Sequence, residues 1–451
     1  MVIEIRRWAS TLAGLLKRPF ARDVGLLLGA EGIALLLLAV QGVLVARWLG
    51  PSGYGVVALI MAYPFVIRLV FDARTSEATI RYLGEFHARH ARDKASAIVV
   101  AGYLIDAATS ILAFAVVAGT AWWADGHLVH DEGSAGLLMV FAAALVLASP
   151  SATSKSVLRT LGAFSTMAIA RVAVAAVGAG LVLSLVGAGL GIEGAVWGSA
   201  ATQALDGIVL LTLGVRRARG TWGPASPRAA WAALEGRRRE LAGFLAWTNL
   251  GSLLGLIPRQ LGVILVGAIG GAAEAGYFRL AQSLTAFSGI GFFTLQSVAY
   301  PRLAALGGTG DRPKLFATAR RYALLVGAPL GVLVALSIPL VGPIIRLLAG
   351  SAYNDAIVTT QFMLGAAAVA VGFFWLRPLY LTLGEVKLLA QIPGVTAVLT
   401  LLGFVVLIPP FGAVGAAFAL LLMGIANPSA LLALRRHHAV RLLRRHPVTA
   451  E

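Results

Sequence analysis

The chain has 451 residues, 59% of them hydrophobic before its 52 glycines are counted, and only 13% charged. Soluble domains carry about 25% charge and about 45–50% apolar residues with glycine included, so a disordered chain is excluded and an ordinary soluble globule does not fit. The net charge is nevertheless +17, and the absence of cysteine removes disulfides, thiolate metal sites and a cysteine nucleophile.

Residues 1–22 place Ile5, Trp8, Leu12, Leu15 and Leu16 at helical spacing among Arg6, Arg7, Lys17 and Arg18. That pattern predicts an amphipathic helix lying on a membrane surface. A signal peptide fits poorly, because no uninterrupted apolar core or small-residue cleavage site follows the charges. Apolar runs then recur at 24–46, 55–73, 97–120, 135–153, 166–187, 192–214, 242–268, 276–299, 322–345, 356–380, 386–408 and 412–434. A helix needs about 20 such residues to cross a bilayer. The runs are continuous rather than alternating, so they read as helices and not as barrel strands. The expected fold is an all-α polytopic membrane protein with about twelve transmembrane helices in two parallel six-helix lobes around a central cavity.

The basic residues sort by position. They crowd the N-terminus, the gap 74–96, the gap around Lys155 and Arg159, the central gap 215–241, the gap from Arg302 to Arg321, and the tail after 434. The alternate gaps hold at most a single basic residue, and 121–134 carries Asp125, Asp131 and Glu132 instead. By the positive-inside rule the basic gaps and both termini face the cytoplasm. Nucleic-acid binding is discarded, since such proteins gather charge on one face rather than at every second helix end.

The basic segment 215–241 divides the chain into an N-terminal lobe (23–214) and a C-terminal lobe (242–434), with a basic tail at 435–451. Shifted by about 221 positions, the halves correspond. Val45–Gly50 and Gly55 fall on Val266–Gly271 and Gly276, Arg81 falls on Arg302, and Gly191–Ala195 falls on Gly412–Ala416. With one extra residue, Thr160-Leu161-Gly162 falls on Thr382-Leu383-Gly384. Six helices per half start both halves on the same side, so the repeats are parallel, related by an axis along the membrane normal.

Several of these helix ends carry recurring motifs. They are Arg47-Trp48-Leu49-Gly50-Pro51-Ser52-Gly53-Tyr54-Gly55, Gly276-Tyr277-Phe278-Arg279-Leu280-Ala281, Leu347-Leu348-Ala349-Gly350-Ser351-Ala352-Tyr353-Asn354-Asp355-Ala356 and Gly412-Ala413-Val414-Gly415-Ala416. Together they make the chain resemble, over nearly its whole length, the polysaccharide-transporter branch of the multidrug/oligosaccharidyl-lipid/polysaccharide exporter superfamily. The resemblance implies a non-enzymatic flippase that moves a lipid-linked (undecaprenyl pyrophosphate) oligosaccharide from the cytoplasmic to the periplasmic leaflet by alternating access. It also implies membrane lipids, a polysaccharide polymerase and glycosyltransferases as partners. Related branches export drugs or flip lipid II.

Charge inside a bilayer is costly unless it is paired or hydrated, so each intramembrane charge is a candidate site. Arg68, Arg171 and Arg259 lie deepest among the arginines, and a guanidinium fork suits a pyrophosphate. Arg279 and Arg377 stand at helix ends, where snorkelling to the interface is the plainer reading. Glu31, Asp72, Asp106 and Asp206 are the candidates for coupling to H+ or Na+, with interhelical hydrogen bonding, or an Arg68–Asp72 pair four residues apart, as the structural alternative. All of these carboxylates lie in the first half, so ion coupling is expected there.

Other motifs are absent or weak. No phosphate-binding loop of the Gly-x-x-x-x-Gly-Lys-Ser/Thr type occurs. Gly189-x-Gly191-x-x-Gly194 matches a dinucleotide fingerprint but falls in a turn between two helices, so no cofactor is expected. His127-x-x-His130-Asp131-Glu132 could hold a metal, although a solvated loop is the plainer reading, and no metal site is assigned. No histidine lies in any span, so no catalytic triad can form at membrane depth. The rival functions are a drug/cation antiporter, which would want an acidic cavity, and a membrane glycosyltransferase or polymerase, which would want carboxylates on large loops.

Overall fold

The structure is a computed structural model and describes residues 19–129, 133–224, 226, 260–308 and 311–445. The expected surface helix before Pro19, most of the seventh span and most of the central linker lie outside the described residues. So do Arg259 and His130, Asp131 and Glu132.

Among the described residues every regular element is helical. The first part holds α1 (Pro19–Phe71), α2 (Thr75–Ala88), α3 (Arg92–Ala124), α4 (Ser134–Ala148), α5 (Ser151–Thr160), α6 (Phe164–Leu185) and α7 (Gly191–Trp222). The second holds α8 (Gln260–Gly270), α9 (Ala272–Gly308), α10 (Arg312–Tyr322), α11 (Ala328–Leu336), α12 (Val341–Leu348), α13 (Ala356–Gly372), α14 (Leu376–Thr382) and α15 (Val386–Arg445). Seven helical stretches among the described residues are long and apolar enough to cross a membrane. Non-helical glycines divide three of them into consecutive spans, at Gly50, at Gly189–Gly191 and at Gly412.

These glycines are the clearest sign of the internal repeat. Gly191 (φ 56, ψ −130) and Gly412 (φ 55, ψ −136) start corresponding helices in nearly the same conformation. Gly50 (φ 69) corresponds to Gly271 (φ 89), and Gly162 (φ 66) to Gly384 (φ 78). A positive φ costs any residue with a Cβ, so each turn requires glycine at the same place in both halves.

Proline shapes the helices unevenly. The expected span 322–345 falls within one helical stretch, Arg312–Leu348, whose winding changes along its length: α10 runs through a wide turn at Ala323–Gly327 into α11, and a tight turn at Ile338–Leu340 precedes α12. Pro329 and Pro339 stand at the starts of α11 and of that tight turn, where a missing N–H is tolerated. Pro393 and Pro428, by contrast, lie within α15 and leave it helical.

The chain forms two compact units, within the limits Met1–Trp48 plus Ile60–Ser252 and Leu49–Leu59 plus Leu253–Glu451. In the first, α7 packs along α4, α5 and α6, while α2 and α3 pack together and α2 also lies on α5. Close approach is set by glycine: a Cβ on Gly207 of α7 would lie 2.0 Å from the Leu147 carbonyl oxygen. An apolar core of Tyr82, Leu83, Phe86, Ile98, Val157 and Trp222 knits α2, α3, α5 and the end of α7. Trp222 is further held by a 3.3 Å hydrogen bond from its Nε1 to His87 Nδ1. In the second unit α13 is central, packing on α9, α11 and α15.

Candidate functional site

The charges of the first unit fall into two groups. One surrounds Asp106, a buried carboxylate midway along α3. Its Oδ1 accepts a hydrogen bond from the Thr75 hydroxyl and its Oδ2 one from Thr153 at 2.7 Å. Thr75 opens α2, and the backbone before it is tied by Asp72, whose Oδ1 accepts from the Arg74 N–H at 2.9 Å. Gly102, one turn before Asp106, makes room: a Cβ there would lie 2.8 Å from Thr153 Oγ1 and 3.2 Å from Thr79 Oγ1. Arg68, at the end of α1, interacts electrostatically with Asp72, Asp106 and Asp206. Asp206 also forms a 3.7 Å ion pair with Lys155. Four expected site residues, Arg68, Asp72, Asp106 and Asp206, thus share one network. Lys155, which the charge pattern marks only as a cytoplasmic helix end, completes it together with Thr75 and Thr153. A Ser/Thr-rich, Lys-bearing helix between apolar spans (Ser151–Thr160) was the available signal.

The second group is a pair. Arg171 on α6 donates through Nε to Glu31 Oε2 at 3.0 Å and through Nη2 to Glu31 Oε1 at 3.2 Å. The arginine and carboxylate planes thus meet fork to fork, the strongest geometry for such a pair. The two side chains stay 32% and 45% exposed.

In the second unit, Arg279 stands in the second turn of α9, with Nη1 3.5 Å from Gln282 Oε1, and Arg377 is exposed on α14. The recurring motifs converge instead. Tyr353 is fully buried and meets Tyr277 edge-on at 6.0 Å. Tyr54 Oη lies 3.5 Å from Ser283 Oγ. Gly55 and Gly276 let backbones touch, since a Cβ on either would lie 1.7 Å from the Ala272 oxygen or 2.1 Å from the Pro51 oxygen. Glu274 is a residue the sequence reading passed over: its Oε2 accepts from the Ala413 N–H at 2.6 Å, beside the Gly412 break. Among the described residues no group of histidines and carboxylates is placed to hold a metal. His127 stacks on Trp123 and bonds its carbonyl at 3.0 Å.

Charged groups held inside apolar helices of a repeated, two-lobed, all-α fold define a polytopic membrane transporter. The family model described as "Polysaccharide biosynthesis protein" matches residues 20–306, and the chain belongs to that family. Solved structures agree on the fold. An inward-facing multidrug resistance MATE family transporter of the MOP superfamily superposes with a TM-score of 0.71 at 14% identity, covering 92% of this chain and 96% of that one. The lipid II flippase MurJ, in an inward closed conformation, gives 0.67 at 15% identity over 90% of this chain and 86% of that one. A MOP superfamily transporter from Pyrococcus furiosus, whose binding pocket is described as reversed in polarity, gives 0.62 at 13% identity over 94% and 97%. No curated protein matches the chain.

Proposed function

We propose that the protein flips a lipid-linked oligosaccharide, carried on undecaprenyl pyrophosphate, from the cytoplasmic to the periplasmic leaflet of a bacterial inner membrane. Both termini face the cytoplasm, and no chemistry is performed on the substrate. The observation that carries this reading is the part-exposed Arg171, a cation about two turns inside the cytoplasmic end of an apolar span in a polysaccharide-biosynthesis family member. An anionic lipid headgroup is the ligand such a cation suits.

A second reading, export of a cationic drug, draws on one observation: Asp72, Asp106 and Asp206 all act electrostatically on Arg68. Proteoliposomes separate the two. We expect a fluorescent lipid-linked oligosaccharide placed in one leaflet to become accessible to an external lectin only when the protein is present. Normal efflux of cationic dyes with no transbilayer movement of the lipid would favour the antiporter instead.

A further inference from the structure

Glu31 and Arg171 lie 140 residues apart in sequence and yet form a two-point pair. Their spans are the first and the fifth, which run in the same direction through the membrane. Counted from the starts of their apolar runs at 24 and 166, Glu31 and Arg171 lie about 10 Å and about 8 Å in, at 1.5 Å per residue. Neither has a further ionic partner among the described residues. The pair is also unsealed, with a third of the arginine and nearly half of the glutamate exposed. An exposed ion pair at that depth is tolerated where it faces water or lipid headgroups rather than acyl chains.

Glu31 occupies the Nε and Nη2 edge of Arg171, which is the edge a phosphate oxyanion would take. Phosphate and carboxylate cannot both hold it. We propose that Glu31 is an internal counter-ion that a pyrophosphate lipid headgroup displaces from Arg171 on binding and that reclaims Arg171 when the headgroup leaves. This rests on the flippase reading. With the site empty, the carboxylate spares the protein an unpaired cation at depth. With the site occupied, the phosphate takes the guanidinium fork and Glu31 turns to water. On the far side, the return of Glu31 expels the phosphate, so the same residue weakens binding and speeds release.

The test uses the full chain in nanodiscs and proteoliposomes, with farnesyl pyrophosphate as the binding probe. Glu31→Gln removes the competitor, and its affinity should rise by roughly three- to tenfold, as expected for unmasking one charge-assisted contact. The same variant should flip a lipid-linked oligosaccharide more slowly than the native protein. Arg171→Gln should bind more weakly, and the double variant should match Arg171→Gln, because Glu31 then has nothing to mask. Glu31→Asp, one methylene shorter and so set back from the guanidinium, should fall between native and Glu31→Gln, and it stands in if Glu31→Gln fails to fold. Glu31→Gln binding as weakly as Arg171→Gln, or with unchanged affinity, overturns the exchange while leaving the flippase reading intact. If the native protein neither binds the probe nor flips the lipid, the flippase reading itself fails. An equal Glu31→Gln gain with inorganic pyrophosphate and none with the lipid would assign the site to a free anion and overturn the lipid assignment.

Discussion

Asp106 is a carboxylate whose two oxygens each accept from a threonine hydroxyl, on helices that sequence separates by 31 and 47 residues. Glu77, in the first turn of α2, is less well served. Glu77 Oε2 is buried without a hydrogen-bond partner. Burial pushes the Glu77 carboxyl above its ordinary value; Arg74 opposes the rise and Asp72 adds to it. A carboxyl whose folded value is raised stabilises the fold below its unfolded value and loses that contribution as pH rises through the folded one. Ionised Glu77 is therefore a cost at neutral pH. Glu77→Gln should raise the melting temperature in detergent at pH 7 by no more than about 2 °C, since much of the group is screened by solvent. The gain should shrink toward pH 4, and an equal gain at both pH values would refute the assignment. Asp106 and Asp206 could be picked out from sequence because charge in an apolar run is conspicuous; Asp72, expected on the same helix as Arg68, stands instead just past the end of α1 at Phe71. Glu77 and Glu274 could not, because they stand at helix ends, where charge is ordinary.

Helices in this chain are turned by glycines and pinned by polar contacts at their ends. The break at Gly412 leaves the Ala413 N–H at the start of a helix, and Glu274 satisfies it from another helix. A carboxylate there completes an orphan donor and complements the helix dipole. Glu274→Ala should cost about 1–3 kcal/mol, the loss expected for leaving a buried donor unpaired, whereas Glu274→Gln, which keeps an acceptor oxygen, should cost less. Thermal and denaturant unfolding in detergent measure both, and equal stability of all three proteins would show the contact to be incidental. The glycine turns themselves were readable from the shifted alignment of the halves. Within 322–345 the sequence marks the places where the winding changes, at Pro329 and Pro339, but not its form, a wide turn before α11 and a tight one before α12, because an apolar run records length in the membrane and not the pattern of its hydrogen bonds.

At the scale of the whole molecule, the carboxylates of the expected coupling site belong to one unit. Asp72, Asp106 and Asp206 all act electrostatically on Arg68 in the first, and Glu31 lies in that unit as well. If ion coupling resides there, Asp106→Asn and Asp206→Asn should flip lipid at a rate that no longer responds to an imposed proton gradient. Full gradient dependence in both variants would remove the first unit from the coupling mechanism. The sequence by itself determined the membrane-spanning class, the repeat and the positions at which charge enters apolar helices. Those follow from local rules, since a bilayer tests each stretch of about 20 residues for apolarity and each turn for a residue that tolerates positive φ. Only the tertiary structure decided which charges meet. Arg171 holds Glu31 rather than standing free, Asp106 takes its partners from two other helices, and Glu274 reaches across to Ala413. Such pairings depend on which helix faces turn toward one another, and helices that are apolar on every side carry no periodic signal of that orientation.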